Sequence, residues 1–261
     1  MNAVPNLEMT PNWRTDQMRL LDSPELLGSA ARALNGALTG TGKPYDLSKV
    51  TDDLVRMIFD ELTGLPRAYA ETALAAFGAL AGFSVQMGLR ETLVKSGKAR
   101  EEDVFTIVKA GGETFYCGAL SDEGLFAGKP GNLSLYSFVA GAVREAGAKR
   151  APDAEEIAAH VASTIGAANF GALRVRAENT PALPPVLLLQ KFWNPVRNYL
   201  VLNVQAPSHW PFALGLAAQK AIVALKPLLD PGFSGRLVME AAAAMAKVDP
   251  ASIRGASLPL S

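Results

Sequence analysis

The sequence predicts an all-α protein, and three observations carry that prediction. Apolar residues recur at 3.6-residue spacing through most of the chain. Capping residues and prolines punctuate those stretches at their starts. Strand-like alternation is confined to a few residues. Of the 261 residues, 49% are hydrophobic and 19% are charged. Such a chain can bury a core in one large domain or two smaller ones, and it lies far from the low-hydrophobicity, high-charge class of disordered chains. We read one helical globular domain over 23–255, preceded by an irregular arm (1–22) that Trp13 anchors and followed by a short polar tail (256–261).

The elements follow in order. Ser23-Pro24-Glu25 supplies a cap, a proline for the first helical position and an acid at the positive dipole end, so a helix should run to about Leu38. Residues 40–44 then form a loop. Thr51, Asp52 and Asp53 should open the next helix, with Leu54, Val55, Ile58 and Leu62 as its stripe, ended by Gly64 and Pro66. The longest helix is expected from about Pro66 to Ser96. Inside it, Thr72 to Leu89 is uncharged and long enough to test as a membrane span. Its many alanines and glycines, with Thr72, Ser84 and Gln86, favour a buried core helix instead. Gly78, Gly82 and Gly88 together cost about 3 kcal/mol of helix propensity, a large share of a typical net stability of about 5–15 kcal/mol. Close approach of another backbone would offset that cost, so this helix should be central and tightly crossed.

Glu101 to Gly118 reads as helical until Gly111-Gly112, and 118–131 as a loop or broken helix. Asn132 or Ser134 should start a helix that Gly147 stops, and Asp153 and Glu156 have capping-box spacing ahead of another. Leu173 to Arg176 alternates as a short strand would. Pro184-Pro185 can open a helix to Trp193, where Pro195 should interrupt it, with Asn198 to Val204 either helix or strand. Ser208 is expected to cap a helix to Lys226, Ser234 one to Lys247, and Asp249-Pro250 a final turn. The total is eight or nine helices with at most a minor β element, and no repeat of fixed period.

Charge and motif content narrow the chemistry. Twenty-five basic and 25 acidic residues balance, without the basic footprint of a nucleic-acid binder. One cysteine, Cys117, leaves no internal disulfide, and the N-terminal residues lack the apolar core of a secretory signal; a soluble cytoplasmic protein is the expectation. Residues 37–44 resemble a phosphate loop only superficially, since Pro44 stands where a Mg²⁺-binding hydroxyl should follow Gly-Lys. Asp53 and Asp60 share a helix face, but Arg56 between them points to surface ion pairs rather than to a metal. Two histidines cannot build a multi-histidine centre. His160 reads as a side-chain pair with Glu156, and Cys117, among acidic neighbours, as a structural thiol. No cofactor is implied.

One region concentrates groups suited to a site. Phe192, Trp193, Tyr199, Trp210 and Phe212 fall within 21 residues, among Lys191, Arg197 and His209. Rings with a few polar groups suit a ligand pocket or an interface. Two functions are therefore expected. One is an interaction or assembly protein that self-associates as a homo-oligomer. The other is a small-molecule-binding protein or enzyme with Trp193, Arg197, Tyr199, His209 and Trp210 around a small apolar or anionic ligand. In the second, Arg197 would hold an anionic group, His209 at a helix N-terminus would be a neutral base or donor, and the rings would enclose an apolar body.

Overall fold

A computed structural model describes residues 46–62, 69–126, 133–204 and 206–253. The expected N-terminal arm with Trp13, the helix to Leu38, the loop at 40–44, the Gly64–Pro66 stop and the tail lie outside those residues.

Ten α-helices and one hairpin make up the described residues: α1 (Leu47–Leu62), α2 (Tyr69–Leu89), α3 (Glu101–Val104), β1 (Thr106–Ala110), β2 (Glu113–Cys117), α4 (Ala119–Leu125), α5 (Leu135–Glu145), α6 (Ala154–Thr164), α7 (Pro185–Asn203), α8 (Trp210–Leu225), α9 (Pro231–Met245) and α10 (Pro250–Ile253). The predicted all-α class is the observed one, with α2 at its centre. Helices α7, α8 and α9 pack directly on α2, α5 covers α8 and α9, and α1 lies against α8. The apolar window of α2 is 94% buried inside the fold.

The glycines of α2 do what their cost requires. A Cβ on Gly78 would lie 2.3 Å from the Val238 carbonyl oxygen, and one on Gly82 would lie 2.0 Å from that of Ala242. Helix α9 therefore approaches α2 backbone to backbone, a distance that no side chain at either position allows. Small residues on both sides, Ala241 and Ala242 among them, complete this contact.

Several local expectations are corrected. Residues 106–117 form a hairpin rather than the second half of a helix, pairing Thr106 with Cys117 and Ala110 with Glu113. Gly111 and Gly112 both have positive φ (61° and 82°), the conformation a two-residue hairpin turn demands and a helix excludes. The strands are rich in β-branched and aromatic residues, and Phe115 is buried and bridged to Val248. Leu173 to Arg176 is irregular and not a strand, turned at Arg174 by the Val175 N–H donating to the Leu173 carbonyl at 3.0 Å. Pro195 does not interrupt its helix, and α7 runs through it to Asn203, so 198–203 is helix. Burial of Phe192, Trp193, Val196 and Leu200 on one face outweighs the hydrogen bond that Pro195 cannot donate.

Caps shift as well. Helix α1 starts at Leu47, where Asp46 accepts from the Lys49 N–H at 3.1 Å, and Thr51 lies inside it. Ser208 falls in a 3₁₀ turn (Pro207–His209) ahead of α8, and the cap of α9 is Asp230, accepting from the Phe233 N–H at 2.8 Å, rather than Ser234. Asp153 caps α6 as expected, accepting from the Glu156 N–H at 3.1 Å. The Glu156 carboxylate does not complete the box. It turns instead to Arg174.

Candidate functional site

The five residues singled out in the sequence occupy four environments. Trp193 and Trp210 are buried together, with ring centroids 6.4 Å apart, and Trp193 meets Phe83 of α2 edge-on at 4.7 Å. The Trp210 Nε1–H donates to the Val204 carbonyl at 3.3 Å. Arg197, one turn after Trp193, donates from Nη2 to Glu91 at 3.4 Å. Tyr199 projects toward α1, where its hydroxyl donates to Asp53 at 2.7 Å. His209 rests at a tilt on Phe212, with centroids 6.4 Å apart. Burial lowers the His209 pKa and favours its neutral ring. The structure thus brings Trp193 and Trp210 together and sends Arg197 and Tyr199 to opposite neighbours of α7.

Asp53 gathers the first acidic cluster of the sequence. It accepts from Lys49 at 2.5 Å, from Tyr199 and from Arg56, while Asp52 pairs with Lys220 at 2.5 Å. The Lys49 hydrogen bond, followed by that of Tyr199, holds the Asp53 carboxyl down at about 2. A carboxyl lower in the fold than its ordinary 3.8 stabilises the fold above that value and loses the contribution as pH falls toward 2. Chemical unfolding between pH 5 and pH 2 should therefore show a steeper acid loss for the native chain than for Asp53→Asn. Matching slopes would rule out this contribution.

At the end of β2 the Cys117 thiol is half-buried, and burial pushes its pKa up, with Lys247 opposing and Asp122 adding to the shift. Lys247 itself is buried and donates to Asp122 at 2.9 Å.

The most unusual chemistry lies at the C-terminal end of α2, outside the expected set. Phe83, Gln86 and Arg90 fall at i, i+3 and i+7, on one face of the helix. Gln86 is fully buried, and neither its amide oxygen nor its nitrogen has a hydrogen-bond partner among the described residues. Arg90 follows one turn later. Its guanidinium lies in the corner formed by the perpendicular rings of Phe105 (4.8 Å) and Tyr116 (4.2 Å), and its Nη1 donates to Glu101. Its Nε and Nη2 are buried without a partner among the described residues, as are the hydroxyls of Thr92 and Ser121. Ser121 belongs to α4, which packs on α2 with Gly124 against Val85.

The backbone changes at the same place. Residues Arg90–Val94 form a π-helical turn, in which the Lys95 N–H reaches back five residues to the Arg90 carbonyl at 2.8 Å. Such turns insert one residue into a helix and often accompany sites, because they re-aim the side chains around them. Glu91, on this turn, accepts from Lys95 at 2.5 Å and from Arg197. Burial pushes the Glu91 carboxyl up, but those two cations outweigh it and leave it below the usual carboxylate range.

Buried polar atoms in native folds nearly always have partners, and each exception asks for a reason. Among the described residues, all the exceptions but Ser121 of α4 fall between Gln86 and Thr92, on α2 and the π turn that continues it. Comparison of the chain with protein-family models, curated proteins and solved structures finds no match. Gln86 and Arg90 were legible in the sequence only as a polar residue in an apolar run and as the charge that ends it. The signal was an amide with two donors and an acceptor, placed where the flanking pattern buries every side.

Proposed function

We propose that this chain is a soluble small-molecule-binding protein that holds its ligand at the C-terminal end of α2, against Gln86 and Arg90. The carrying observation is the Gln86 amide, fully buried in the central helix with neither polar atom partnered among the described residues. Leaving such a group unsatisfied costs about 1–3 kcal/mol. A fold that bears this cost in its central helix has a use for the group, since function is where local rules are broken. The reading moves the expected pocket from the 192–212 segment to its neighbour on α2. Trp193 remains one wall, through Phe83. A cytoplasmic location and the lack of a nucleic-acid partner belong to the same proposal, supported by the single cysteine and the balanced charge.

The test is a replacement that removes the amide and keeps its length. Gln86→Met should raise the stability of the ligand-free chain by about 1–3 kcal/mol in denaturant unfolding, while abolishing retention of any co-purifying molecule. Stability gained at the expense of binding is the usual signature of a functional polar group. A loss of stability in Gln86→Met would mean that the amide is satisfied in solution, and the proposal would fail.

Self-association is the second reading, favoured by a separate observation. Leu202, at the end of α7, is 82% exposed, next to Val201 at 50%. Exposed apolar side chains in sequence are natural contacts between copies. Light scattering should then give a dimer or larger assembly that Leu202→Glu dissociates. A monomer at high concentration would remove this reading and leave the first intact.

A further inference from the structure

We infer that the ligand is a small monocarboxylate with a hydrogen-bond donor next to the carboxylate, as in a 2-hydroxy acid, gripped side-on by Arg90. The inference rests on the binding site proposed above and names the chemistry of its occupant. A guanidinium offers two planar faces and three edges. In Arg90 the perpendicular rings of Phe105 and Tyr116 form a corner against the group, and Nη1 is committed to Glu101. What remains is the edge carrying Nε and Nη2, both buried and without a partner among the described residues. Their N–H bonds run parallel on that edge, the spacing that two oxygens of one carboxylate match.

Charge selects among oxyanions. The ion pairs at this end of α2 and in the adjoining α3 join Arg90, Lys95, Arg197 and Arg100 to Glu91, Glu101, Glu102 and Asp103, so the set is already balanced. A phosphate dianion would therefore add twice the excess negative charge of a monoanion. Gln86 supplies the second half of the recognition. One turn before Arg90 on the same face, its amide oxygen accepts from a donor on the ligand and its nitrogen donates to a ligand oxygen. A hydroxyl beside the carboxylate meets both needs, and a plain carboxylate leaves the amide oxygen unmatched.

The experiment is a thermal-shift and calorimetric titration of the full chain with sodium lactate, acetate, inorganic phosphate and chloride at matched ionic strength. Lactate should raise Tm in a concentration-dependent manner and bind at least tenfold more tightly than acetate. Phosphate and chloride should do no more than ionic strength does. Arg90→Lys keeps the charge but loses the fork, and should weaken lactate at least tenfold. Gln86→Met should erase the preference of lactate over acetate, which keeps the test open if Arg90→Lys folds poorly. Phosphate binding as tightly as lactate, or lactate binding unchanged in both variants, would overturn the inference. If none of the four anions binds while a neutral or cationic molecule co-purifies, the site stands and its assigned ligand class falls. If no molecule co-purifies either, both are wrong.

Discussion

Gly82→Ala should destabilise the protein by about 2–3 kcal/mol, although alanine is the better helix former by about 1 kcal/mol. Both the sign and the size follow from the contact between α2 and α9. The added methyl would lie 2.0 Å from the Ala242 carbonyl oxygen and 2.5 Å from its Cα, atoms of a helix backbone that cannot turn aside as a side chain would. Relief requires α9 to move as a body, and α9 is held on its other sides by α5 and α6. Overpacking of this kind costs about 1–3 kcal/mol and more when the neighbour is rigid. Adding Gly78→Ala, whose methyl would lie 2.3 Å from the Val238 oxygen, should deepen the loss. Denaturant unfolding decides the sign. A gain of about 1 kcal/mol would show that helix propensity alone governs the position and that α2 and α9 are not in backbone contact.

The second large effect is expected at Arg174. Glu240 lies on α9 with its side chain 3% exposed, and Arg174 satisfies it from three atoms. Nε and Nη2 donate to Oε1 at 2.9 and 2.7 Å, and the backbone N–H donates to Oε2 at 2.9 Å. The guanidinium also reaches Glu156 of α6, and Arg236 returns a hydrogen bond to the Arg174 carbonyl at 2.8 Å. The carboxylates around it raise the Arg174 pKa, with Glu156 the largest contributor and burial opposing. Arg174→Ala would strip the guanidinium from the buried Glu240 carboxylate, leaving only the backbone N–H of residue 174 on Oε2 and Arg236, its Nε 3.8 Å away. Orphaning a buried charge costs about 3 kcal/mol or more. Adding Glu240→Met should recover part of that loss, because the unpaired charge goes with it. Urea unfolding of the single and double variants measures the coupling directly. An Arg174→Ala loss below about 1 kcal/mol would mean that solvent or Arg236 already neutralises Glu240.

This ion pair also explains a region that local sequence could not resolve. Residues 170–176 lack a helical period, and the alternation of Leu173 to Arg176 suggested a strand. The segment is held by Arg174 across 66 residues of sequence. A tie of that separation leaves no periodic trace. The hairpin at 106–117 is a different case, since Gly111-Gly112 between β-branched and aromatic runs was present as a turn signal. There Val104, Ile107 and Val108 also fit helical spacing, and short apolar runs are ambiguous between the two. Pro195 misled in the opposite direction, because breaking a helix locally is cheaper than losing the buried face of α7.

What was legible came from composition and spacing over long windows. The three glycines of α2 could be read as a liability that only a close neighbour would offset; α9 is that neighbour for Gly78 and Gly82, and the Pro207 carbonyl ahead of α8 for Gly88. The candidate site was legible only at its aromatic border. Trp193 and Trp210 announce a large buried surface, whereas Gln86 looked like dilution of an apolar run. Its importance depends on whether a partner reaches it, which is settled by how other elements pack on α2 and not by its neighbours in sequence. Unpaired atoms are a property of packing, not of spacing.

The most direct test of the binding site is native mass spectrometry of the chain as purified, beside Gln86→Met. A ligand site at Gln86 and Arg90 predicts a small non-covalent adduct on the native chain that is absent from the variant, at unchanged or higher stability of the variant. Bare chain mass for both proteins, or the same adduct on both, would contradict it.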